Sequence, residues 1–125
     1  MLKRWFIVIS ALICLNAQAA YPERPIQIVV PYSAGGIADI MARRIAEELT
    51  TTLKTSVVVH NKGGASAIIG TQAVATAAPD GYTILFTPNT PLSINPLLRR
   101  NLPYNASKDL EILSILAESP IVVIA

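Results

Sequence analysis

The chain has 125 residues, 52% of them hydrophobic, and a formal net charge of +2 from ten basic and eight acidic side chains. This length allows one domain at most. The single cysteine, Cys14, lies near the N-terminus and leaves residues 20–125 without a thiol for a disulfide or a metal site.

The first residues have the pattern of an export signal. Lys3 and Arg4 precede an apolar run over 5–15 that is too short to span a bilayer, and Ala17-Gln18-Ala19 fits the small-x-small rule of signal peptidase. We expect a signal peptide over 1–19, cleaved after Ala19, and export of a partial domain over 20–125. Loss of the signal leaves eight basic and eight acidic residues. This part of the chain therefore has no excess of positive charge that would predict binding to nucleic acid or to an anionic membrane.

The segment 26–39 predicts the strand, turn and helix around which the rest of the chain is arranged. Residues 26–30 form an apolar run that suits the central strand of a parallel sheet, and helical spacing begins at Ile37. Gly35 and Gly36 carry no Cβ, so a ligand can approach the backbone N–H groups that open the helix, where the helix dipole favours an anion. The alternative is a tight turn in which both glycines serve backbone geometry alone.

The helix after this turn is expected to bury one apolar stripe and to end at the threonines 50–52. Asp39 lies in its first turn, where a carboxylate either acts as an ordinary cap or orders the turn around a ligand. The stripe comprises Ile37, Ile40, Met41, Ile45 and Leu49.

The strand-turn-helix pattern then repeats. A short β-branched strand over 57–59 leads into a second small-residue turn and a helix over about 67–77, and a turn at 78–81 launches a third strand over 82–86. The third strand ends in a polar loop over 87–90. Because ligands of open α/β sheets bind outside the carboxyl ends of the strands, the three loops predict one shared crevice.

The last third of the chain has weaker signals. Residues 92–98 predict a short helix, 103–105 a turn, and 110–117 an apolar segment that suits either a strand or a helix. Residues 121–125 form another β-branched run, in which the chain stops, and we expect the sequence to be incomplete.

Catalytic and metal chemistry find little support in the sequence. His60 is the only histidine and has no acidic neighbour, which argues against a metal site or a Ser-His-Asp triad. A nucleotide-dependent enzyme domain would use Gly35-Gly36 as a phosphate turn, but the Gly-x-Gly-x-x-Gly and Gly-Lys-Ser/Thr patterns are absent and Asn61-Lys62 stands where an acidic residue is needed. A second alternative is an exported interaction module that uses an exposed sheet edge.

Motifs along 21–125 resemble those of the Bug family, the TctC-like periplasmic solute-binding proteins of tripartite tricarboxylate transporters. Their order and spacing, rather than any single motif, make the resemblance. The motifs are Tyr21-Pro22-x-x-Pro25-Ile26, Val30-Pro31-Tyr32-x-x-Gly35-Gly36-x-x-Asp39, Val59-x-Asn61-Lys62, Ala78-Pro79-Asp80-Gly81-Tyr82-Thr83, Asn95-Pro96, Leu102-Pro103-Tyr104 and Lys108-Asp109.

The resemblance implies a type II, Venus-flytrap α/β fold with a mostly parallel sheet flanked by helices. It implies a periplasmic binding protein, not an enzyme, that needs no cofactor or metal and acts as a monomer. Its partners would be a small carboxylated solute, such as a di- or tricarboxylate or related organic acid, and the membrane permease subunits. The implied ligand loops are Tyr32, Ser33, Ala34, Gly35, Gly36 and Asp39; Gly64, Ala65 and Ser66; and Thr87, Pro88, Asn89 and Thr90.

The chain departs from the family pattern in two ways. At 63–70 it has Gly-Gly-Ala-Ser-Ala-Ile-Ile-Gly where the family usually has Pro-Gly-Ala-Gly-Gly-Asn-Ile-Gly, so Gly63 loosens the second loop and Ile68 replaces a polar side chain. Family members are also longer, as two lobes require. The resemblance therefore implies most of one lobe, with the second lobe missing, and a truncated protein with weak or no activity.

Overall fold

A computed structural model describes residues 21–118, so the expected signal peptide over 1–19 and the β-branched run at 121–125 lie outside the described residues. The strands are β1 (Ile26–Val30), β2 (Val57–Asn61) and β3 (Thr83–Leu85). The helices are α1 (Ile37–Leu53), α2 (Ile68–Ala75), α3 (Asn95–Leu98) and α4 (Ala106–Asp109), with a π-helical turn over Thr90–Ile94 before α3. The helix expected over 92–98 is therefore present as the end of this turn together with α3.

The three strands form one parallel sheet in the order β2-β1-β3. Ile28 of β1 pairs with Val59 on one side and Ile84 on the other, so these side chains share one face of the sheet. Ile26, Ile28, Val29 and Val30 are almost fully buried and Gln27 is exposed, so one face of β1 is covered along its length and the other face is covered at Val29. The prediction of a central parallel β1 is confirmed.

Helix α1 packs on the sheet through alanines rather than through the expected isoleucines. Ala38, Ala42 and Ala46 repeat at a spacing of four and lie against Ile28 and Val30. Small side chains let the helix axis approach a sheet whose branched side chains already fill the interface.

The expected stripe is therefore wrong at its N-terminal end. Ile37 is 79% exposed and Ile40 is 56% exposed, whereas Met41, Ile45 and Leu49 are half-buried at the margin of the alanine row. Successive helical residues point about 100° apart, so a row centred on Ala38 turns Ile37 away from the sheet.

Helix α2 contacts β1 and β3 and is fixed by a close approach at Gly70. A Cβ at this position would lie 2.6 Å from the Lys62 carbonyl oxygen and 2.8 Å from the Pro31 Cα. Both neighbours are backbone atoms at the carboxyl ends of the strands. Gly70 thus lets α2 sit directly behind the loops that leave β1 and β2.

The segment over 110–117, expected as a strand or a helix, adopts neither conformation. Ile112, Leu113, Ile115 and Leu116 are all more than half exposed, so no packing surface in the described part of the chain imposes a regular structure on them. Over 21–118, the helices are too short or too polar to cross a membrane.

We expect Gly70→Ala to lower the free energy of unfolding by about 1–3 kcal/mol, because the added methyl group overpacks two backbone neighbours. Gly63→Ala is the matched control, since its Cβ would meet the Tyr32 backbone at an ordinary 3.5 Å. Chemical denaturation of both variants measures the difference. Equal stability of the two variants would contradict the close approach of α2.

Candidate functional site

The three loops expected to bind a ligand leave the same edge of the sheet, because all three strands are parallel. In the first loop, Tyr32 is half-buried and Ser33, Ala34, Gly35 and Gly36 are exposed. Gly35 has a φ of +82°, and a Cβ built on it would meet no atom within 4 Å. The turn therefore needs glycine for its conformation and opens onto free space.

Asp39 is buried beneath this loop and holds it in place. Its side chain is only 4% exposed. Oδ2 accepts the Gly35 N–H (2.8 Å), while Oδ1 accepts Arg43 Nη2 (3.0 Å) and Asn61 Nδ2 (3.0 Å). Asp39 thus orders the turn from beneath, and its oxygens are bonded to Gly35, Arg43 and Asn61.

Asn61, the last residue of β2, completes the cluster and was not among the candidate residues. Its amide nitrogen also donates to the Tyr32 carbonyl oxygen (3.2 Å), and its amide oxygen accepts from Arg43 (3.1 Å). One side chain therefore ties the first loop to the neighbouring strand. Its place in the Val59-x-Asn61-Lys62 motif was visible in the sequence, but that pattern gave no sign of its partners.

The cluster lowers the pKa of Asp39 from 3.8 to about 2. The largest cause is the hydrogen bond from Arg43, followed by the bond from the Gly35 backbone, and Asn61 adds to the effect, whereas burial opposes it. The carboxylate is therefore charged at neutral pH and balanced by Arg43.

The backbone amides at the start of α1 divide into two groups. The Gly35 N–H, one of the amides expected to meet an anion, is already bonded to Asp39. The first amide to bond a helical carbonyl is that of Ile40, which donates to Gly36 (3.0 Å). Among the described residues no side chain caps this end of the helix, so the amides of 36–39 have no hydrogen-bond partner.

The second loop has an unusual backbone. Ala65, Ser66 and Ala67 have φ values of 49°, 57° and 70°, and Gly64 before them has 123°. Three consecutive left-handed residues with side chains are costly, since each is disfavoured by roughly 1–2 kcal/mol. Two of the three, Ser66 and Ala67, stand where the family pattern has glycines.

Contacts on both sides hold the second loop. Gly63 lies against the backbone of Tyr32 in the first loop. The Ser66 carbonyl oxygen accepts from Asn95 Nδ2 (2.9 Å), and Asn95 is only 3% exposed. The second loop is thus joined to the first loop and to α3, and Ser66 lies at the contact with α3.

The third loop contains an unpaired hydroxyl group. Thr87 Oγ1 is buried and has no hydrogen-bond partner within 21–118, which is uncommon for a buried polar atom. Pro88 and Asn89 are exposed, and Thr90 begins the π-helical turn, whose first amide bonds go to the Asn89 carbonyl oxygen. Of the four expected residues in this loop, Thr87 is the one with an unsatisfied polar atom.

No metal-binding arrangement occurs in the described part of the chain. Residues 21–118 contain no cluster of three or more His, Cys, Asp or Glu side chains that could hold a metal ion. His60 is exposed on β2.

Comparison with known proteins gives consistent matches. The model of the tripartite tricarboxylate transporter family receptor (TctC) matches residues 41–125. A UPF0065 protein of Bordetella bronchiseptica is 42% identical over 88% of this chain and 34% of its own length. The protein BugT of Bordetella pertussis is 38% identical over 95% of this chain and 37% of its own length. The chain thus spans about a third of the length of the curated relatives it matches.

Solved structures agree with the fold. MatC of Rhodopseudomonas palustris with bound malate has a TM-score of 0.67 and 34% identity, covering 71% of this chain and 30% of that protein. An R. palustris protein solved with adipate has a TM-score of 0.66 and 33% identity, covering 70% of this chain and 29% of that protein. These matches confirm the expected periplasmic-binding-protein-like fold with a parallel sheet flanked by helices.

The lowered pKa of Asp39 makes the free energy of unfolding depend on pH in the acid range. Between pH 4 and 2 the unfolded chain binds a proton at this site more readily than the native protein, so stability is present above about pH 4 and is lost as pH falls toward about 2. We expect urea midpoints measured from pH 7 to 2 to decline in this window, and Asp39→Asn to flatten the decline. Glu47→Gln, on the exposed face of α1, is the control and keeps the wild-type slope.

The strained second loop predicts a stabilising substitution. Ala65→Gly is expected to raise the free energy of unfolding by up to about 1 kcal/mol, because relief of the left-handed conformation exceeds the added entropy of glycine in the unfolded chain. Ala78→Gly, at an exposed position without a positive φ, is the control and should be neutral or destabilising. Destabilisation by both substitutions would argue against strain at Ala65.

Proposed function

The chain belongs to the tripartite tricarboxylate transporter receptor family, the TctC or Bug proteins, and from this membership we propose that it binds a small carboxylated solute in the periplasm for transport. The solute carboxylate is received at the sheet edge by the loops after β1, β2 and β3. The residues proposed for this role are Tyr32, Ser33, Ala34, Gly35, Gly36, Gly64, Ala65, Ser66, Thr87, Pro88, Asn89 and Thr90, with Asp39 holding the first loop from below.

The observation that carries this proposal is the exposed start of α1, which no side chain among the described residues caps and which lies above the Asp39 carboxylate. Because Asp39 is bonded to Gly35, Arg43 and Asn61, the cluster needs no further partner. The amides of 36–39 have no such partner within 21–118 and lie at the positive end of a 17-residue helix. A solute carboxylate satisfies them without an arginine clamp.

The ligands of two structural neighbours support the carboxylate class. MatC was solved with malate and the second R. palustris protein with adipate, and both molecules are dicarboxylic acids. Thr87 Oγ1 offers a further hydroxyl group on the third loop for a solute oxygen or a bridging water. The proposed role is capture and delivery to permease subunits of a tripartite transporter, not catalysis.

The affinity of the chain itself is expected to be modest. Ser33, Ala34, Gly35 and Gly36 are exposed, so water competes for the same amides that bind the solute. Binding experiments therefore need solute concentrations well above the dissociation constant.

The proposal predicts that one or more small carboxylates raise the thermal transition of the 125-residue chain. A solute at about a hundred times its dissociation constant adds about 2.7 kcal/mol to the stability of the folded state. Malate, adipate and their amides are suitable probes, since the amides keep the shape and remove the charge. A cooperative transition that no carboxylate shifts would refute the proposal.

Two glycine substitutions separate binding from stability. Gly35→Ala and Gly81→Ala both place a side chain at a φ near +80°, so both are expected to lower the melting temperature. Gly81 lies against Tyr21, away from the three loops. Only Gly35→Ala should also weaken carboxylate binding, because its methyl group enters the space above the turn, and titration calorimetry measures this difference.

A further inference from the structure

Arg99 follows α3 and reaches the second ligand loop. Its Nη2 lies 3.3 Å from Ser66 Oγ, and its backbone N–H donates to the Asn95 carbonyl oxygen (2.9 Å). Asn95 in turn donates to the Ser66 carbonyl oxygen, and its side chain is buried. Two contacts from one short helix to Ser66 therefore place the Arg99 guanidinium at the margin of the proposed carboxylate site.

The charge of Arg99 is not balanced within 21–118. The ion pairs of these residues are formed by Arg24, Arg43 and Arg44, and Arg99 is in none of them. The nearby sequence explains this, because no Asp or Glu occurs over 49–79 or over 81–108. The second loop and the segment that follows α3 thus carry Lys62, Arg99 and Arg100 without an acidic residue nearby in the sequence.

Arg99 differs in this respect from the arginine beneath the first loop. Arg43 donates to both Asp39 and Asn61, so its charge is already used in the fold. Arg99 makes one long contact with a neutral hydroxyl group, and most of the five N–H donors of its guanidinium are left for another acceptor. A planar guanidinium is well suited to a carboxylate, which it can bind through two parallel hydrogen bonds.

We propose that Arg99 selects solutes that carry a second anionic group, binding the distal carboxylate of a dicarboxylate while the start of α1 holds the first. This inference rests on the proposed function of the same site and adds a specificity-determining residue to it. A neutral or purely apolar distal group gains nothing from Arg99, so the chain discriminates dicarboxylates from monocarboxylates of equal length.

The test compares matched acids on the full 125-residue chain by titration calorimetry. Malate is paired with 2-hydroxybutyrate and adipate with hexanoate, since each pair differs in the second carboxylate. The wild-type chain should bind each diacid about tenfold or more tightly than its monoacid, because only the diacid forms the charge-assisted hydrogen bond with Arg99. Arg99→Gln should abolish this ratio and leave monoacid binding unchanged.

Two variants control for charge and for folding. Arg100→Gln removes the neighbouring exposed charge and should keep the wild-type ratio, while Arg99→Lys keeps the charge but loses the paired donors and should give an intermediate ratio. Equal weakening of both acids by Arg99→Gln, or no weakening of either, would overturn the role of Arg99 while leaving the proposed function standing. Failure of the folded wild-type chain to bind either acid would overturn the proposed function and this inference together.

Discussion

The hydrogen bonds of Asp39 are the constraint on which the candidate site depends. A buried carboxylate is costly unless charged donors and backbone groups satisfy it, and here Arg43, Gly35 and Asn61 do so together. The same bonds link the first loop, the first helix and the end of the second strand. A single charge cluster therefore sets the position of a glycine turn whose own backbone has little intrinsic preference.

The sheet supplies the second constraint. Because β1 is the central strand, its loop leaves between two neighbouring strands, and the parallel order brings all three loops to one edge. Close packing on both sides keeps the loops near each other, through the alanine row of α1 on one face and Gly70 of α2 at the strand ends. The site is thus a consequence of how two helices cover one strand.

The second loop of the candidate site is not optimised for stability. Three consecutive left-handed residues with side chains store strain beside the first loop. The Asn95 side chain stabilises this backbone by donating a hydrogen bond to the Ser66 carbonyl oxygen. In the same region, the Thr87 hydroxyl group has no hydrogen-bond partner and the Arg99 guanidinium group has no ion-pair partner among the described residues. Strain in the second loop, the hydroxyl group of the third loop and the guanidinium group after α3 are features expected of a binding surface, and they cost stability where they occur.

The sequence by itself determined the parallel α/β architecture, the order of the strands and helices, and the first loop as the anion-binding candidate. It did so because buried strands, glycine turns and helical spacing are local patterns that few alternative folds accommodate. Its motifs also indicated the receptor family. The predicted buried face of α1 was wrong at Ile37 and Ile40. Hydrophobicity alone does not reveal that the branched side chains of the sheet leave room only for alanine in the facing helix. Only the tertiary structure decided which groups pair across the chain: the bonds of Asn61 to Asp39 and Tyr32 span 22 and 29 residues, and that of Arg99 to Ser66 spans 33. Such contacts depend on how the elements pack, so no spacing in the sequence encodes them.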